Sequence, residues 1–277
     1  MNAQQFLGLR ATHNPNRWYL PVERKLCTGH GFLFGGCGLA AAVTALEAAT
    51  GRPLVWATAQ YLSYARYPCV LDLDIVVPVS GRHSTQARAV GQVGDKEIFT
   101  VNAALGSRPL DITGQWAEMP AVPPPADCPL APHFADSDGT IHDQVEIRIA
   151  SGRINRDGTP SPDGRSALWI RLPGELERSA AGLALVADWV PSGIGQALGR
   201  WAGGNSLDNT IRILEPAPTD WVLCDIHIHG IAKGFGHGVV LQWAEDGSLM
   251  AIGSQSLIVR LHDEERGVAR PAADDRP

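Results

Sequence analysis

The chain has 277 residues, of which 44 % are hydrophobic and 19 % are charged, and its 23 basic and 29 acidic residues give a formal charge of −6. This length suits one large domain or two smaller ones, and the hydrophobic content excludes wholesale disorder. The mild acidic excess argues against a dedicated nucleic-acid-binding protein, which normally carries a basic face.

The cysteines and the N-terminal segment predict a cytoplasmic protein. The cysteines contain no CxxC pair and no even framework, so we expect them to be reduced thiols. The chain starts without the basic and apolar segments of a secretory signal. Its longest apolar run, residues 31–45, is too short and too rich in Gly and Ala for a membrane span, so we expect a helix buried on all sides. The five cysteines are Cys27, Cys37, Cys69, Cys128 and Cys224.

The first half of the chain begins with this helix and continues with β-rich runs. The helix is predicted to begin after Gly35-Gly36 and to end at about residue 49. Turn-rich segments separate the runs that follow, as expected for antiparallel strands. The predicted strands are 56–64, 70–78, 83–93 and 97–105.

A proline-rich segment separates the two halves. Residues 119–138 contain six prolines, which neither continue a helix nor pair inside a sheet, so this segment is predicted to be a linker. Two strands, 145–150 and 167–172, are predicted after it, and the Gly-, Asp- and Arg-rich residues 151–166 between them predict an exposed loop.

The second half repeats the order of the first. A helical stretch at 180–189 is broken by Pro191 and continues to residue 200, and it precedes predicted strands at 206–214, 222–229, 236–243 and 249–260. An offset of 152 residues superimposes the closing hairpins and places Ile98 on Met250. One long helix with four strands in each repeat favours a sheet wrapped round a helix over a βαβ array. The charged tail, 263–277, is predicted to be disordered.

Three motifs have ordinary structural explanations. Residues 193–198 contain only part of a dinucleotide-binding fingerprint and follow a helix instead of a strand. Cys37, near a helix start, has no evident histidine partner, so packing is favoured. His227 and His229 share a strand face, as zinc ligands can, but no carboxylate-rich segment or HExxH motif accompanies them, so no metal site is predicted.

Two polar residues of the second half are stronger candidates. Asp208 lies at the entrance to a β-rich run after a flexible Gly-Gly pair, where it could also be a turn cap. Gln255 lies inside a predicted strand, where an isolated polar residue could also face water. The repeat has Ala103 at the position that matches Gln255, so only one of the two related units carries the polar group. An enzyme with a single surviving site would show this asymmetry.

These residues belong to segments that resemble the acyl-CoA thioesterase II family. The resemblance covers nearly the whole chain except the tail and implies an α+β double hotdog, with two antiparallel sheets each wrapped round a central helix. The units are then 1–118 and 139–262, joined by the linker 119–138 and followed by the tail 263–277. The matching segments are Phe34-Gly35-Gly36, Ala59-Gln60-Tyr61-Leu62, Glu97-Ile98-Phe99, Ser206-Leu207-Asp208-Asn209, residues 246–251 and Gln255.

The resemblance implies hydrolysis of a fatty acyl-CoA to free acid and CoA, without a metal or other cofactor. In this family an Asp, a Thr or Ser and a Gln hold the attacking water, which assigns these roles to Asp208, His229 and Gln255. His229 departs from the family pattern, as does Cys37, where the family often has Gln. The expected partners are acyl-CoA and further copies of the chain.

The expected mechanism follows from these residues. Asp208 acts as the general base on water, Gln255 orients that water, and His229 supports the network or protonates the leaving thiolate. Phe34, Gly35 and Gly36 are the expected substrate-binding residues, since N–H groups at a helix start can hold a thioester oxygen. Two alternatives remain open: a non-catalytic protein that binds acyl-CoA or lipid, and a hotdog hydratase or dehydratase, although no hydration motif is found.

Overall fold

The computed structural model describes residues 1–134, 137–152, 159–174, 176–261 and 269–270. Part of the predicted loop 151–166 and nearly all of the predicted tail 263–277 therefore lie outside the described residues. The helices within the described part are α1 (Ala3–Leu7), α2 (Gly35–Thr50), α3 (Ile141–Gln144), α4 (Ala180–Ala187) and α5 (Gly193–Leu198). None of these helices is both long and apolar enough to span a bilayer.

The described strands pair in antiparallel fashion throughout. In the first half they are β1 (Arg10–Ala11), β2 (Arg17–Val22), β3 (Leu54–Tyr61), β4 (Cys69–Ser80), β5 (Ser84–Val93) and β6 (Lys96–Gly106). In the rest of the chain they are β7 (His133–Phe134), β8 (Glu146–Ser151), β9 (Arg165–Arg171), β10 (Ala202–Ser206), β11 (Asp208–Ile213), β12 (Val222–Ala232), β13 (Phe235–Trp243), β14 (Leu249–Leu261) and β15 (Ala269–Arg270).

One sheet runs through both halves of the molecule. Its strand order is β1-β2-β4-β5-β6-β3-β11-β14-β13-β12-β9-β8, with β10 also paired to β14, while β7 and β15 form a separate pair. The two antiparallel sheets expected from the sequence are therefore joined edge to edge in this structure. The halves are joined because β3 pairs with β11, which leaves neither strand with an unpaired edge.

The 152-residue offset predicted from the sequence relates the strands of the two halves. It places β3 on β11, β4 on β12, β5 on β13 and β6 on β14. At the centre, the hydroxyls of Thr58 and Thr210, which are 152 residues apart, form a hydrogen bond of 2.7 Å across the β3–β11 pair. The internal repeat is confirmed, and the two halves meet at equivalent strands.

The two main helices pack together on the inner face of the sheet. Gly and Ala make α2 slim enough to be buried on nearly all sides, and Gly51, in the left-handed conformation at φ 64°, ends it. All eight residues of α4 are buried. Pro191 lies in a 3-10 turn between α4 and α5, so the predicted break in the second helical stretch is confirmed. The helices α2 and α4 are in contact, and the hydrogen bond between Gly36 and Asp188 shows that the start of α2 meets the end of α4.

The proline-rich segment packs on the opposite face of the second half. Met119, Val122 and Cys128 contact a cluster that contains Trp169, Trp221 and Trp243. The indole N–H of Trp169 donates a hydrogen bond of 3.0 Å to the carbonyl oxygen of Pro123. The segment is therefore fixed to the surface of the second half. All five cysteines are free thiols, as predicted.

Candidate active site

The candidate site lies where the start of α2 meets the end of α4. Asp188 directly follows α4 as its C-cap residue, and its Oδ2 accepts a hydrogen bond of 2.7 Å from the backbone N–H of Gly36. Phe34, the N-cap residue of α2, makes no capping hydrogen bond with its own side chain. A negative charge is favoured at a helix N-terminus, because unpaired N–H groups point outward there. Asp188 therefore caps α2 from the other half of the chain.

Glycines at the start of α2 make this approach possible. A Cβ atom at Gly36 would lie 2.4 Å from the carbonyl oxygen of Leu185, and one at Gly35 would lie 2.8 Å from Oδ2 of Asp188. Both distances are too short for a non-bonded contact. The two glycines thus let the backbone of α2 reach α4 and the carboxylate. The N–H of Gly36, expected to hold the substrate oxygen, is engaged by Asp188.

The second oxygen of Asp188 contacts the amide predicted from the sequence. Oδ1 accepts hydrogen bonds from Nε2 of Gln255 and, at 3.2 Å, from the hydroxyl of Ser206. Asp188 is only 5 % exposed and Gln255 only 3 %. Burial raises the pKa of Asp188 to about 6, and hydrogen bonds from Gln255, Gly36 and Ser206 limit that rise. A carboxyl group with a pKa in this range can both take up and return a proton near neutral pH.

Tyr61 and Asn209 add further polar groups to the same site. A Cβ at Gly35 would lie 3.0 Å from the Tyr61 hydroxyl, so this hydroxyl and the Asp188 carboxylate face the same point. Asn209 is fully buried and pairs with Ala59, two residues before Tyr61 on the same face of β3. Within the described chain, the Tyr61 hydroxyl, both polar side-chain atoms of Asn209 and Oε1 of Gln255 are buried, and apart from the interaction of Tyr61 with Asn209 they have no hydrogen-bond partner.

Asp208 occupies a different environment from Gln255. Its Oδ1 accepts a hydrogen bond of 2.7 Å from the backbone N–H of Ser256, and it pairs with the exposed Gln60 on β3. Asn209, the next residue, faces the interior with Gln255, so Asp208 faces the other side of the sheet. The structure therefore brings Gln255 to Asp188, and it places Asp208 at the junction of β10 and β11.

His229 also lies apart from this group. It is exposed on β12, and its ring lies 4.0 Å from that of His227, measured between ring centroids, while Ile228 between them points into the core. The pKa of His227 is lowered, first by desolvation and then by the charges of His229 and Arg165. The two histidines share one face, as the sequence predicts, but that face is the outer one. No group of three or more potential metal ligands occurs among the described residues.

Phe34 and Trp189 form an apolar wall next to Asp188. Their rings meet edge to face at a centroid distance of 5.0 Å, and the ring of His142 on α3 packs against Trp189 at 5.9 Å. Cys37 is fully buried, and desolvation followed by the charge of Asp188 raises its thiol pKa. This environment agrees with a packing role for Cys37, because a reactive cysteine needs a lowered pKa.

A separate recess of about 190 Å³ lies in the first half, lined in part by Pro78, Gln86, Arg88 and Asn102. It includes none of the residues of the candidate site, and it contains no carboxylate or thiol.

The sequence alone assigns no role to three residues of the site, Asp188, Asn209 and Tyr61. One signal does point to Asp188, since it is the one charged residue in the apolar stretch 180–190. Asn209 directly follows Asp208, and Tyr61 lies within one of the segments that carry the family resemblance. No sequence pattern indicates that these three side chains meet, because they come from three elements in two halves of the chain.

Comparisons with known proteins identify the family to which the chain is related. Residues 125–259 match the family model of the acyl-CoA thioesterase C-terminal domain. No curated protein matches the chain. A solved structure of a candidate thioesterase from Novosphingobium aromaticivorans is 36 % identical, with a TM-score of 0.80 over 92 % of this chain and 98 % of that one.

Two more distant structures show the same fold. A hotdog-fold protein from Alicyclobacillus acidocaldarius is 19 % identical, with a TM-score of 0.82 over 94 % of this chain and 98 % of that one. The acyl-CoA thioesterase II TesB2 of Mycobacterium marinum is also 19 % identical, with a TM-score of 0.71 over 94 % and 99 % of the two chains. The closer relative and the family model show that the chain belongs to the acyl-CoA thioesterase family, and the two more distant structures show its hotdog fold.

Proposed function

We propose that the protein hydrolyses an acyl-CoA thioester to a free acid and CoA, with Asp188 as the general base. The observation that carries this proposal is the buried pair of Asp188 and Gln255 at the start of α2. The proposed base differs from Asp208, because Gln255 contacts Asp188 and the Asp208 carboxylate accepts a backbone hydrogen bond from Ser256. Gln255 keeps the role predicted from the sequence.

The proposed reaction needs only water and the thioester. Asp188 takes a proton from water as the water oxygen attacks the carbonyl carbon, and the carbonyl π electrons move to its oxygen. When this tetrahedral adduct collapses, the C–S bond breaks with its electrons on sulfur, and the CoA thiolate takes the proton back from Asp188. The net reaction converts the thioester and water into the free acid and the thiol. A thiolate is a good leaving group, so the proposal needs no separate acid.

Gln255 is suited to hold the attacking water. Its Nε2 donates to Asp188, which fixes the orientation of the amide, and its Oε1 has no partner within the described chain. Oε1 can therefore accept a hydrogen bond from the water whose other hydrogen points to Asp188. We place the acyl chain against Phe34 and Trp189, whose rings border Asp188. Since Asp188 and Gln255 are almost inaccessible, substrate binding requires neighbouring side chains to move.

The finer architecture is part of the same proposal. We assign an N-terminal hotdog unit to residues 1–118 and a C-terminal one to 139–262, with 119–138 as the linker. Each unit would wrap its part of the shared sheet round one helix, α2 or α4. Association of further copies of the chain stays a prediction.

A panel of acyl-CoA esters of different chain lengths, assayed by thiol release, tests the proposed function. We expect CoA release from at least one ester, with a kcat/KM that falls as the pH drops below about 6, because Asp188 is then protonated. Hydration of enoyl-CoA, measured in parallel, should be absent. Binding of acyl-CoA without release at any chain length would favour the alternative, a non-catalytic acyl-CoA or lipid-binding protein.

A further inference from the structure

We propose that the Tyr61 hydroxyl and the Asn209 carboxamide bind the carbonyl oxygen of the thioester and stabilise the negative charge that forms there. This inference rests on the proposed function, since it assigns the second half of the catalytic task at the same site. The Gly36 N–H is engaged by Asp188, so the site needs other donors for the substrate oxygen. Tyr61 and Asn209 supply them.

The two side chains project from neighbouring strands into the site. Tyr61 ends β3, and Asn209 on β11 pairs with Ala59, which lies on the same face of β3 as Tyr61. Residues in this diagonal relation are within reach of each other when one has a long side chain. The Tyr61 hydroxyl and the Asp188 carboxylate also lie within 3.0 Å of one point beside Gly35. The proposed donors and the proposed base therefore border one small volume.

Burying the polar atoms of Tyr61 and Asn209 lowers the stability of the protein without substrate. The Tyr61 hydroxyl and the Asn209 nitrogen and oxygen are buried, and apart from the interaction of these two side chains with each other they have no hydrogen-bond partner within the residues that the structure describes. Buried polar groups are almost always paired, because an unpaired one loses its hydrogen bonds to water without replacement. Groups that are kept in this state and gain a partner only from the reacting substrate are typical of a preorganised catalytic site.

Both groups can act as donors at neutral pH. Desolvation and then the charge of Asp188 raise the pKa of Tyr61, and a hydrogen bond with the Asn209 side chain opposes this rise only in part, so the phenol keeps its proton. The amide of Asn209 supplies N–H donors. As water attacks, the carbonyl oxygen gains an electron pair and accepts these hydrogen bonds more strongly. It returns the pair to carbon when the C–S bond breaks, and neither Tyr61 nor Asn209 changes its protonation state.

The test uses Tyr61→Phe, with Tyr64→Phe as the matched control because Tyr64 is 51 % exposed. For Tyr61→Phe we expect kcat to fall about 10²- to 10³-fold with little change in KM, as when one oxyanion donor is removed elsewhere. Because the removed hydroxyl is incompletely hydrogen-bonded in the free protein, the Tm of the variant should not fall. A hydroxyl with a merely structural role would instead lower the Tm when it is removed. Tyr64→Phe should change none of these quantities.

A binding measurement separates this inference from the proposed function. Two non-hydrolysable CoA analogues are compared by calorimetry: a ketone that keeps the carbonyl and replaces sulfur by CH2, and a thioether that keeps sulfur and replaces the carbonyl by CH2. The wild type should prefer the ketone about 3- to 10-fold, the value of one hydrogen bond, and Tyr61→Phe should reduce that preference. Asn209→Leu should reduce it as well.

The outcomes are distinct. If the wild type hydrolyses acyl-CoA and Tyr61→Phe does so at the same rate with an unchanged ketone preference, the inference is wrong and the proposed function stands. If no ester is hydrolysed but the preference depends on Tyr61, the carbonyl site stands and the hydrolase proposal fails. Binding of neither analogue contradicts both.

Discussion

At the scale of single residues, the buried carboxylate of Asp188 has an energetic cost that depends on pH. Burial raises its pKa from 3.8 to about 6, so the folded state binds this proton more tightly than the unfolded state does. Stability therefore falls as the pH rises from about 4 through 6, where the folded protein must release the proton. The difference between the two values corresponds to on the order of 3 kcal/mol.

The variant Asp188→Asn measures this cost, because it cannot titrate. We expect the free energy of unfolding of the wild type, relative to this variant, to fall by on the order of 3 kcal/mol between about pH 4 and pH 7. Denaturant unfolding at several pH values gives this difference directly. A difference that does not change with pH would show that the Asp188 carboxyl is not perturbed by burial.

The sequence identified one residue of the Asp188–Gln255 pair and missed the other. Gln255 was identifiable because the repeat has Ala103 at the equivalent position. Asp188 was not, since a lone acidic residue in an apolar stretch does not show which element it will meet. The hydrogen bond between Asp188 and Gly36 joins two helices from different halves of the chain. This contact could be predicted only from the way in which α2 and α4 pack together, which the sequence does not show.

At the scale of secondary-structure elements, Asp208 stabilises an irregular strand junction. Four residue steps separate Ser206 from Thr210, whereas three separate their partners Leu257 and Ser254 on β14, so the β10–β11 segment contains one extra residue, a bulge. The Asp208 carboxylate accepts the N–H of Ser256 at this bulge. The predicted single strand 206–214 is divided here for this reason.

We therefore expect Asp208→Ala to lower stability and to leave catalysis nearly intact. Loss of the acceptor for the Ser256 N–H should cost about 1 kcal/mol in the free energy of unfolding. Asp208→Asn is the matched control, because its side-chain oxygen can still accept this hydrogen bond, and it should be close to the wild type in stability. Chemical denaturation of the three proteins compares these values. Equal stabilities for Asp208→Ala and the wild type would contradict the structural role.

Most elements were predictable because their patterns are local. The Gly/Ala-rich α2, the four strands that follow it and their counterparts in the second half match the predicted order, with ends shifted by a few residues. The strands β1 and β2 before α2 were not predicted, since their short runs contain Pro21 and charged residues. They became strands because β2 pairs with β4 at the edge of the sheet, a contact between distant parts of the chain.

At the scale of the whole molecule, the two halves depend on each other. The β3–β11 pair makes one sheet, α2 packs against α4, and Asp188 of one half caps α2 of the other. The joining of the two expected sheets was not predicted, because the pairing of equivalent strands cannot be read from either repeat alone. Each half would lose part of its core and its site in the absence of the other.

The full chain should therefore unfold in one cooperative transition. Leu20→Ala in the first half and Leu223→Ala in the second each remove a fully buried side chain, and each should cost about 2–5 kcal/mol. Each variant should shift the transition seen by circular dichroism and the one seen by tryptophan fluorescence to the same extent. Two separate transitions, each moved by only one of the variants, would show that the halves fold independently.

The most direct test of the catalytic assignment compares CoA release by Asp188→Asn and Asp208→Asn on the acyl-CoA ester that the wild type hydrolyses fastest. We predict that Asp188→Asn lowers kcat by at least about 10²-fold, because it removes the general base, while Asp208→Asn stays within a few-fold of the wild type. Near-normal turnover by Asp188→Asn, together with loss of turnover in Asp208→Asn, would contradict the assignment and return the base to Asp208.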